Sequence, residues 1–335
     1  MAKSRKAATG AAGKKGAKVK VALIGAGGMA NSVHYPSLVE FKDVKIVGLC
    51  DVMQDKLQAT AEKFGIDKTF TDYQKMIEET APDAVYALMP PHHVYDVAAW
   101  ALKQKLNLFV EKPLALTTYQ AKTLAHHAEQ NGCITMVGFQ RRHVPAIVEA
   151  RKMVEKRGPI HTAVGIFYKD APEALGYYGG AIDILTSDAI HAADLVRWLG
   201  NSEVKSVASD VRSIGRDFPN CFHALITFES GMTGVLLANW CSGRRFYKCE
   251  MHGSSIAAFI DPDESGVVYA DNGATEEQID PKALGPGDQP YHYLGFWQEN
   301  RHFIDCVKAK KQPTSCFSDA VKSMELVDRI YSSTM

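Results

Sequence analysis

Between Val19 and about Gly138, short apolar runs alternate with amphipathic stretches. The runs are Val19–Ile24, Val44–Cys50, Ala84–Met89, Leu108–Val110 and Ile134–Val137. The runs are continuous rather than alternating, which predicts strands covered on both faces. The stretches between them, such as Asp55–Phe64, Tyr73–Glu79 and Thr118–Gln130, have the amphipathic character of surface helices. Strand, helix, strand at this interval predicts right-handed crossovers and a doubly wound parallel sheet. A helix expected over Pro145–Arg157 marks the change of pattern, and Gly158-Pro159 then breaks the chain. β-type runs follow at Ile160–Tyr168, Val204–Ile214, Phe222–Phe228, Met232–Trp240, Phe246–Met251 and Val267–Ala270. Tight Gly, Asn and Ser turns separate them, so a large, mainly antiparallel sheet is expected. One helix, about Ile184–Leu199, interrupts that sheet, and two close the chain at Tyr293–Lys310 and Ser318–Tyr331. The fold class is therefore α/β followed by α+β. A tail over 1–18 precedes one domain over 19–139 and a second, substrate-binding and oligomerisation domain over 140–335.

Composition narrows the function classes. The 335 residues are 46% hydrophobic and 23% charged, enough apolar material for a sizeable core. Basic and acidic residues balance, but Lys3, Arg5, Lys6, Lys14, Lys15 and Lys18 all fall in the opening tail with no acid among them. The body that follows is negative, so it has no general attraction for phosphate backbones, and no nucleic-acid partner is expected. The tail itself reads as a disordered, solubilising segment. It lacks the apolar run of a secretory signal, no later stretch is long enough to span a bilayer, and no membrane partner is expected. Seven scattered cysteines with no Cys-x-x-Cys pair argue for free thiols in a reducing cytoplasm and against a zinc site. His92-His93 and His126-His127 are adjacent pairs without a nearby Cys or carboxylate, so no metal is expected there.

Candidate chemistry begins directly after the first strand. Gly25-Ala26-Gly27-Gly28-Met29-Ala30 fits G-x-G-x-x-A. Gly25 permits a tight turn, Gly27 lets the backbone approach a pyrophosphate, and the helix starting near Met29 offers unpaired N–H groups to phosphates. The second strand ends at Asp51, whose carboxylate can accept from ribose hydroxyls and repels a 2′-phosphate. Val52 and Met53 follow with no arginine, so NAD is expected in preference to NADP.

The run Leu108-Phe109-Val110-Glu111-Lys112-Pro113-Leu114-Ala115 after such a fingerprint resembles the Gfo/Idh/MocA family of oxidoreductases. Met89-Pro90-Pro91-His92-His93 resembles that family's proline-bearing loop, and Val137-Gly138-Phe139-Gln140-Arg141-Arg142 its strand-to-linker segment. Gly179-Gly180-Ala181, the stretch from Asp188 through His191 to Gly200, and Phe296–Phe303 complete a resemblance that runs from Val19 to the C-terminus. It implies an NAD-binding Rossmann domain, a substrate domain, and catalysis in the cleft between them. It places Pro90, Glu111 and Lys112 at the cofactor, with Lys112 near the substrate oxygen and His191 as the proton-transfer group. Many members carry an aspartate four residues before that histidine; here Ser187 holds that position and Asp188 stands three before. Val94 stands where many members have a histidine.

Hydride removal from an alcohol leaves an oxygen that must lose a proton. Histidine titrates near neutrality and suits the base, a lysine can stabilise developing alkoxide charge or act as the base itself, and Asp188 can orient His191 or hold a substrate hydroxyl. Arg142, Tyr168, Tyr177 and Tyr178 are candidates to line a sugar pocket with Asp188 and His191. Asp194 and Arg197 are spaced as a helix ion pair. The expected activity is NAD-dependent oxidation of a CH–OH carbon of a sugar, cyclitol or related polyol. An NAD-dependent glycosidase and a non-catalytic nucleotide or sugar sensor are the alternatives. The exposed face of the second sheet calls for a cover, and a homodimer or homotetramer through that sheet is expected.

Overall fold

The computed structural model describes residues 17–171 and 178–334. Most of the basic tail and Tyr177 lie outside them. Strands β1 (Val19–Ile24), β2 (Val44–Cys50), β3 (Thr69–Phe70), β4 (Ala84–Ala87), β5 (Asn107–Glu111) and β6 (Thr135–Gly138) form a wholly parallel sheet in the order β3-β2-β1-β4-β5-β6. Helices α1 (Tyr35–Glu40), α2 (Gln54–Phe64), α3 (Tyr73–Thr80), α4 (Pro91–Lys103) and α5 (Thr118–Asn131) carry the crossovers. Every residue of β4 is buried, as continuous apolar runs require when both faces are covered. Local chemistry sets the helix ends. The Asp72 carboxylate accepts from Gln74 N at 2.8 Å to start α3, Pro91 opens α4, and Gly65 at φ 64° closes α2. The order of strands reverses between β1 and β4, which opens a crevice at their carboxyl ends.

The second sheet has eight strands: β7 (Thr162–Asp170), β8 (Val204–Arg212), β9 (Cys221–Phe228), β10 (Thr233–Asn239), β11 (Cys241–Gly253), β12 (Ile256–Asp261), β13 (Ser265–Ala270) and β14 (Thr275–Ile279). Their order is β14-β13-β12-β11-β7-β10-β9-β8, antiparallel at every pairing except β7 with β10. Helices α6 (Pro145–Glu155) and α7 (Ile190–Gly200) follow β6 and β7 in the chain. Glycines at Gly165 of β7 and Gly234 of β10 let α7 settle on the sheet, since a Cβ at either would stand 2.9 or 2.3 Å from Val196 methyls. On the opposite face Leu225, Phe259 and Tyr269 stay exposed.

The C-terminal segment crosses back over the expected division at residue 139. After the short helix α8 (Pro290–Tyr293), helix α9 (Phe296–Ala309) returns to the first sheet. Its Phe303 and Ile304 share a core cluster with Leu23, Tyr86 and Phe109, and Arg301 pairs with Asp43 at 2.7 Å. Helix α9 supplies the apolar stripe that seals that face. The last helix, α10 (Phe317–Ser332), joins α5 to α7 across the two units. Among the described residues no helix is long and apolar enough to cross a membrane, and all seven cysteines are unpaired.

Candidate active site

The loop after β1 is built to hold its backbone open. Gly25 has φ +114°, and a Cβ there would lie 2.1 Å from Leu88 O beyond β4, so only glycine closes this turn against the reversal point. Asn31 Nδ2 donates to Ala26 O at 3.0 Å and to Gly27 O at 3.2 Å, pinning the loop from the first helical turns. Those turns widen into a π-helical stretch at Ala30–His34, a form frequent at functional sites. A Cβ added at Gly27 or Gly28 meets nothing within 4 Å, which leaves room above the loop for a group pressed against the backbone. Asp51 accepts from Ala26 N at 2.6 Å and Met53 N at 2.8 Å, one bond to each oxygen, and each oxygen keeps a lone pair for a further donor. Met29, Val52 and Met53 form an exposed apolar rim around it. Backbone N–H groups, an available carboxylate and an apolar rim fit an adenine dinucleotide.

The carboxyl ends of β4, β5 and β6 supply the rest. Pro90 precedes α4 at the end of β4. Glu111 and Gly138 pair across β5 and β6, so the residues after them leave the sheet side by side. The Lys112–Pro113 peptide is cis. Glu111 faces inward: its Oε1 lies 2.8 Å from His34 Nε2, and its Oε2 accepts from Lys112 N at 3.2 Å. Fully buried Glu299 of α9 completes this group, and the three residues bring ligand-type atoms within 4.8 Å of one another. Burial, then the neighbouring Glu111, pushes the Glu299 carboxyl well above the usual carboxylate range. Sequence spacing gives no hint of this trio, because its members are far apart in the chain.

Lys112 Nζ donates to Ser187 O at 2.9 Å and to Asp188 Oδ1 at 3.3 Å. Asp188 lies in a second π-helical stretch, Leu185–Ala189, just before α7. The wider turn brings both the Ser187 carbonyl and the Asp188 carboxylate to one ammonium, so Asp188 reaches Lys112 despite its shifted position. Lys169, near the end of β7, bonds the other oxygen of Asp188. Burial alone would raise the Asp188 carboxyl, but Lys112 and Lys169 hold it well below the usual range. His191 is 5% exposed, and its Nδ1 is buried without a partner among the described residues. Burial, followed by Lys112 and Arg141, drives the imidazole well below its ordinary pKa, so it is neutral at pH 7. This corrects the expectation of an untuned histidine. Val94, at the departure noted in the proline loop, is buried packing.

Two pocket candidates are displaced. Arg142 is buried and clamped, with Nε donating to Asp194 Oδ2 at 2.7 Å and Nη1 2.7 Å from Asp319. It therefore ties the linker to α7 and α10 and has no free donor edge for a sugar. Asp194 serves this clamp more closely than the expected partner Arg197, which is 3.8 Å away. Tyr168 stacks on Phe246 at 6.2 Å, while the flanking Phe167 and Lys169 point to the other face of β7, where Asp188 lies. Tyr178 is half-exposed and sits 5.5 Å from His92.

Comparison with known proteins agrees with this geometry. Residues 19–139 match the family model described as GFO_IDH_MocA, oxidoreductase family, NAD-binding Rossmann fold, and residues 147–258 match the GFO/IDH/MocA C-terminal domain. The chain belongs to the GFO/IDH/MocA oxidoreductase family. Among its relatives is the scyllo-inositol 2-dehydrogenase (NAD(+)) of Bacillus subtilis (strain 168), 27% identical over 92% of each chain. The myo-inositol 2-dehydrogenase of Thermotoga maritima is 25% identical over 92% of this chain and 94% of its own. The solved structure of a dehydrogenase from Chromobacterium violaceum superposes with a TM-score of 0.86 at 23% identity, covering 95% of this family member and 96% of that chain. A levoglucosan dehydrogenase in complex with NADH and levoglucosan gives 0.81 at 21% identity, covering 94% and 97%. The two structural likenesses show that the fold is shared.

Proposed function

We propose that this family member is an NAD-dependent dehydrogenase acting on a CH–OH carbon of a sugar, cyclitol or related polyol. One observation carries the reading: Lys112, at the carboxyl edge of the dinucleotide-type sheet, is joined to Asp188 beside a neutral, buried His191. The inositol dehydrogenases among the relatives support the substrate class. The loop from Gly25 to Met29 would hold the pyrophosphate by backbone N–H groups, and Asp51 would accept from the adenosine ribose and turn away a 2′-phosphate. Pro90 and the backbone beside Glu111 would flank the nicotinamide. Bound NAD supplies the hydride acceptor. An ammonium has three N–H groups. Ser187 O and Asp188 take two of those of Lys112, which leaves one for the substrate oxygen. The neutral imidazole of His191 takes the hydroxyl proton as the oxygen becomes a carbonyl, and the Lys112 charge steadies that oxygen during the change. Free thiols favour a reducing compartment such as the cytoplasm, and the exposed Leu225, Phe259 and Tyr269 favour a second copy covering the open sheet.

The test is absorbance of reduced nicotinamide with purified protein, NAD⁺ and a panel of inositols, aldoses, polyols and their acids. Reduction is expected with at least one class, and Lys112→Ala and His191→Ala should each lower kcat/KM about 10²-fold or more. A silent panel, or both variants at wild-type rate, ends the proposal; glycoside cleavage without build-up of reduced cofactor would replace it with the glycosidase reading.

A further inference from the structure

The wall around His191 carries more positive charge than alcohol oxidation needs. Lys112 and Lys169 share the single carboxylate of Asp188. Lys169 also lies 5.0 Å from the Phe167 ring centre and 5.4 Å from that of Trp240. Arg141 stacks 4.1 Å over Tyr247, whose hydroxyl reaches toward His191 O at 3.5 Å. Arg245 approaches the same floor, 5.9 Å over Phe167, and is balanced by Asp263 at 2.6 Å. Among these described residues, four cations thus face two carboxylates, with a neutral histidine between them.

Arg141 is the telling member. It is 5% exposed, and its Nε and Nη1 are buried without a hydrogen-bond acceptor among the described residues. Its neighbour Arg142, equally buried, has two carboxylates and a carbonyl. A buried guanidinium without an acceptor is costly and rare, and it calls for a partner outside the chain. That partner must be anionic to offset the excess charge, and its place beside His191 puts it on the substrate.

We infer that the substrate is a polyol acid, an aldonate or uronate type of sugar, whose carboxylate lies against Arg141 and Lys169 while a nearby CH–OH faces Lys112 and His191. This rests on the dehydrogenase reading for the hydride step, and it adds the charge of the substrate. Guanidinium and carboxylate match as planar groups, and an ammonium beside them completes a charge-assisted site. The phosphate ester of a neutral sugar shares part of this chemistry, so the test separates the two.

The experiment compares matched substrates with the full-length protein and NAD⁺: D-glucose, D-gluconate, D-glucuronate and glucose 6-phosphate, and likewise the galactose series. For the preferred sugar the carboxylated member should exceed the neutral one at least thirtyfold in kcat/KM, with most of the difference in KM. Lys169→Met and Arg141→Met should each cut that acid-to-neutral ratio at least tenfold, and Lys169→Gln, a polar replacement, should do the same where Met harms folding. In parallel, the thermal midpoint with NADH present should rise with the acids and not with the neutral sugars, and this rise should vanish in both Met variants. Neutral sugars used as well as acids, or phosphate esters preferred over carboxylates, would overturn the inference and leave the dehydrogenase reading standing. No reduction by any sugar together with an acid-specific thermal shift would keep the carboxylate site and remove the dehydrogenase. An absence of both turnover and shift would remove both.

Discussion

Asp194 is the point where the two units are bolted together, and its removal should be felt throughout the molecule. Its side chain and that of Arg142 are each 1% exposed. Asp194 accepts from Arg142 Nε at 2.7 Å and from Ser323 Oγ at 2.6 Å, while Arg142 also donates to Thr314 O at 3.0 Å. Asp319 bridges Arg142 at 2.7 Å and Arg197 at 2.6 Å. Linker, α7 and α10 therefore meet in one dry network. Replacing one member of a buried pair strands the other charge, at about 3–5 kcal/mol. Asp319, a quarter exposed, remains to shelter Arg142, so the lower end of that range applies to Asp194→Ala. With an unfolding entropy of about 2 cal/mol/K per residue, 3 kcal/mol lowers the midpoint of a chain this long by about 4 °C. Removing both ends, as Arg142→Met with Asp194→Leu, leaves Arg197 with Asp319 and should recover at least half of the loss. Calorimetry and urea unfolding at pH 7 would read both effects. A single variant within about 1 kcal/mol of wild type, or a double variant no better than the single, would refute the network argument. Turnover tests the older expectation for Arg142, because a substrate contact would leave the repaired double variant stable but inactive.

Three further outcomes follow from the geometry. Gly25→Ala puts a methyl 2.1 Å from Leu88 O at φ +114°, and should abolish NADH binding in a fluorescence titration; unchanged affinity would contradict the proposed cradle. Asp51→Ser removes the carboxylate expected to repel a 2′-phosphate, and the NAD-to-NADP ratio of kcat/KM should fall at least about tenfold. His143 is partly buried, with its Nε2 enclosed and unpartnered among the described residues, and desolvation followed by His302 and Arg142 pulls its pKa down to about 3, below the value near 6.5 of the unfolded chain. The unfolded state binds this proton first, so the contribution is present above pH 6.5 and is lost as pH falls toward 3. Between pH 6.5 and 5 the wild type should lose about 1.6 kcal/mol more than His143→Gln in urea titrations, and parallel curves would remove His143 as the cause.

What the sequence disclosed and what it hid follow one physical rule. Strands β1 and β2 were readable to the residue because their runs are apolar apart from Lys20 and Lys45 and largely covered on both faces. Strand β14 was invisible because four of its five residues, Thr275 to Gln278, face solvent at the sheet edge. Lys112, Asp188 and His191 could be picked out because they fall in segments with a family pattern. The pocket wall could not. There the sequence pointed to Arg142 and Tyr168, and the structure brings Arg141 and Lys169 to the Asp188 and His191 group instead. Both differences are one residue. Along a strand one step reverses the face, so Tyr168 and Lys169 point to opposite sides of β7. In the turn after β6 the same step separates a guanidinium locked between Asp194 and Asp319 from one whose Nε and Nη1 have no acceptor among the described residues. Residue type and segment can be read from a chain, but facing depends on partners remote in the sequence, such as Asp194 and Asp319 for Arg142. That the Nε and Nη1 of Arg141 lack an acceptor among the described residues is therefore information that only the folded chain contains.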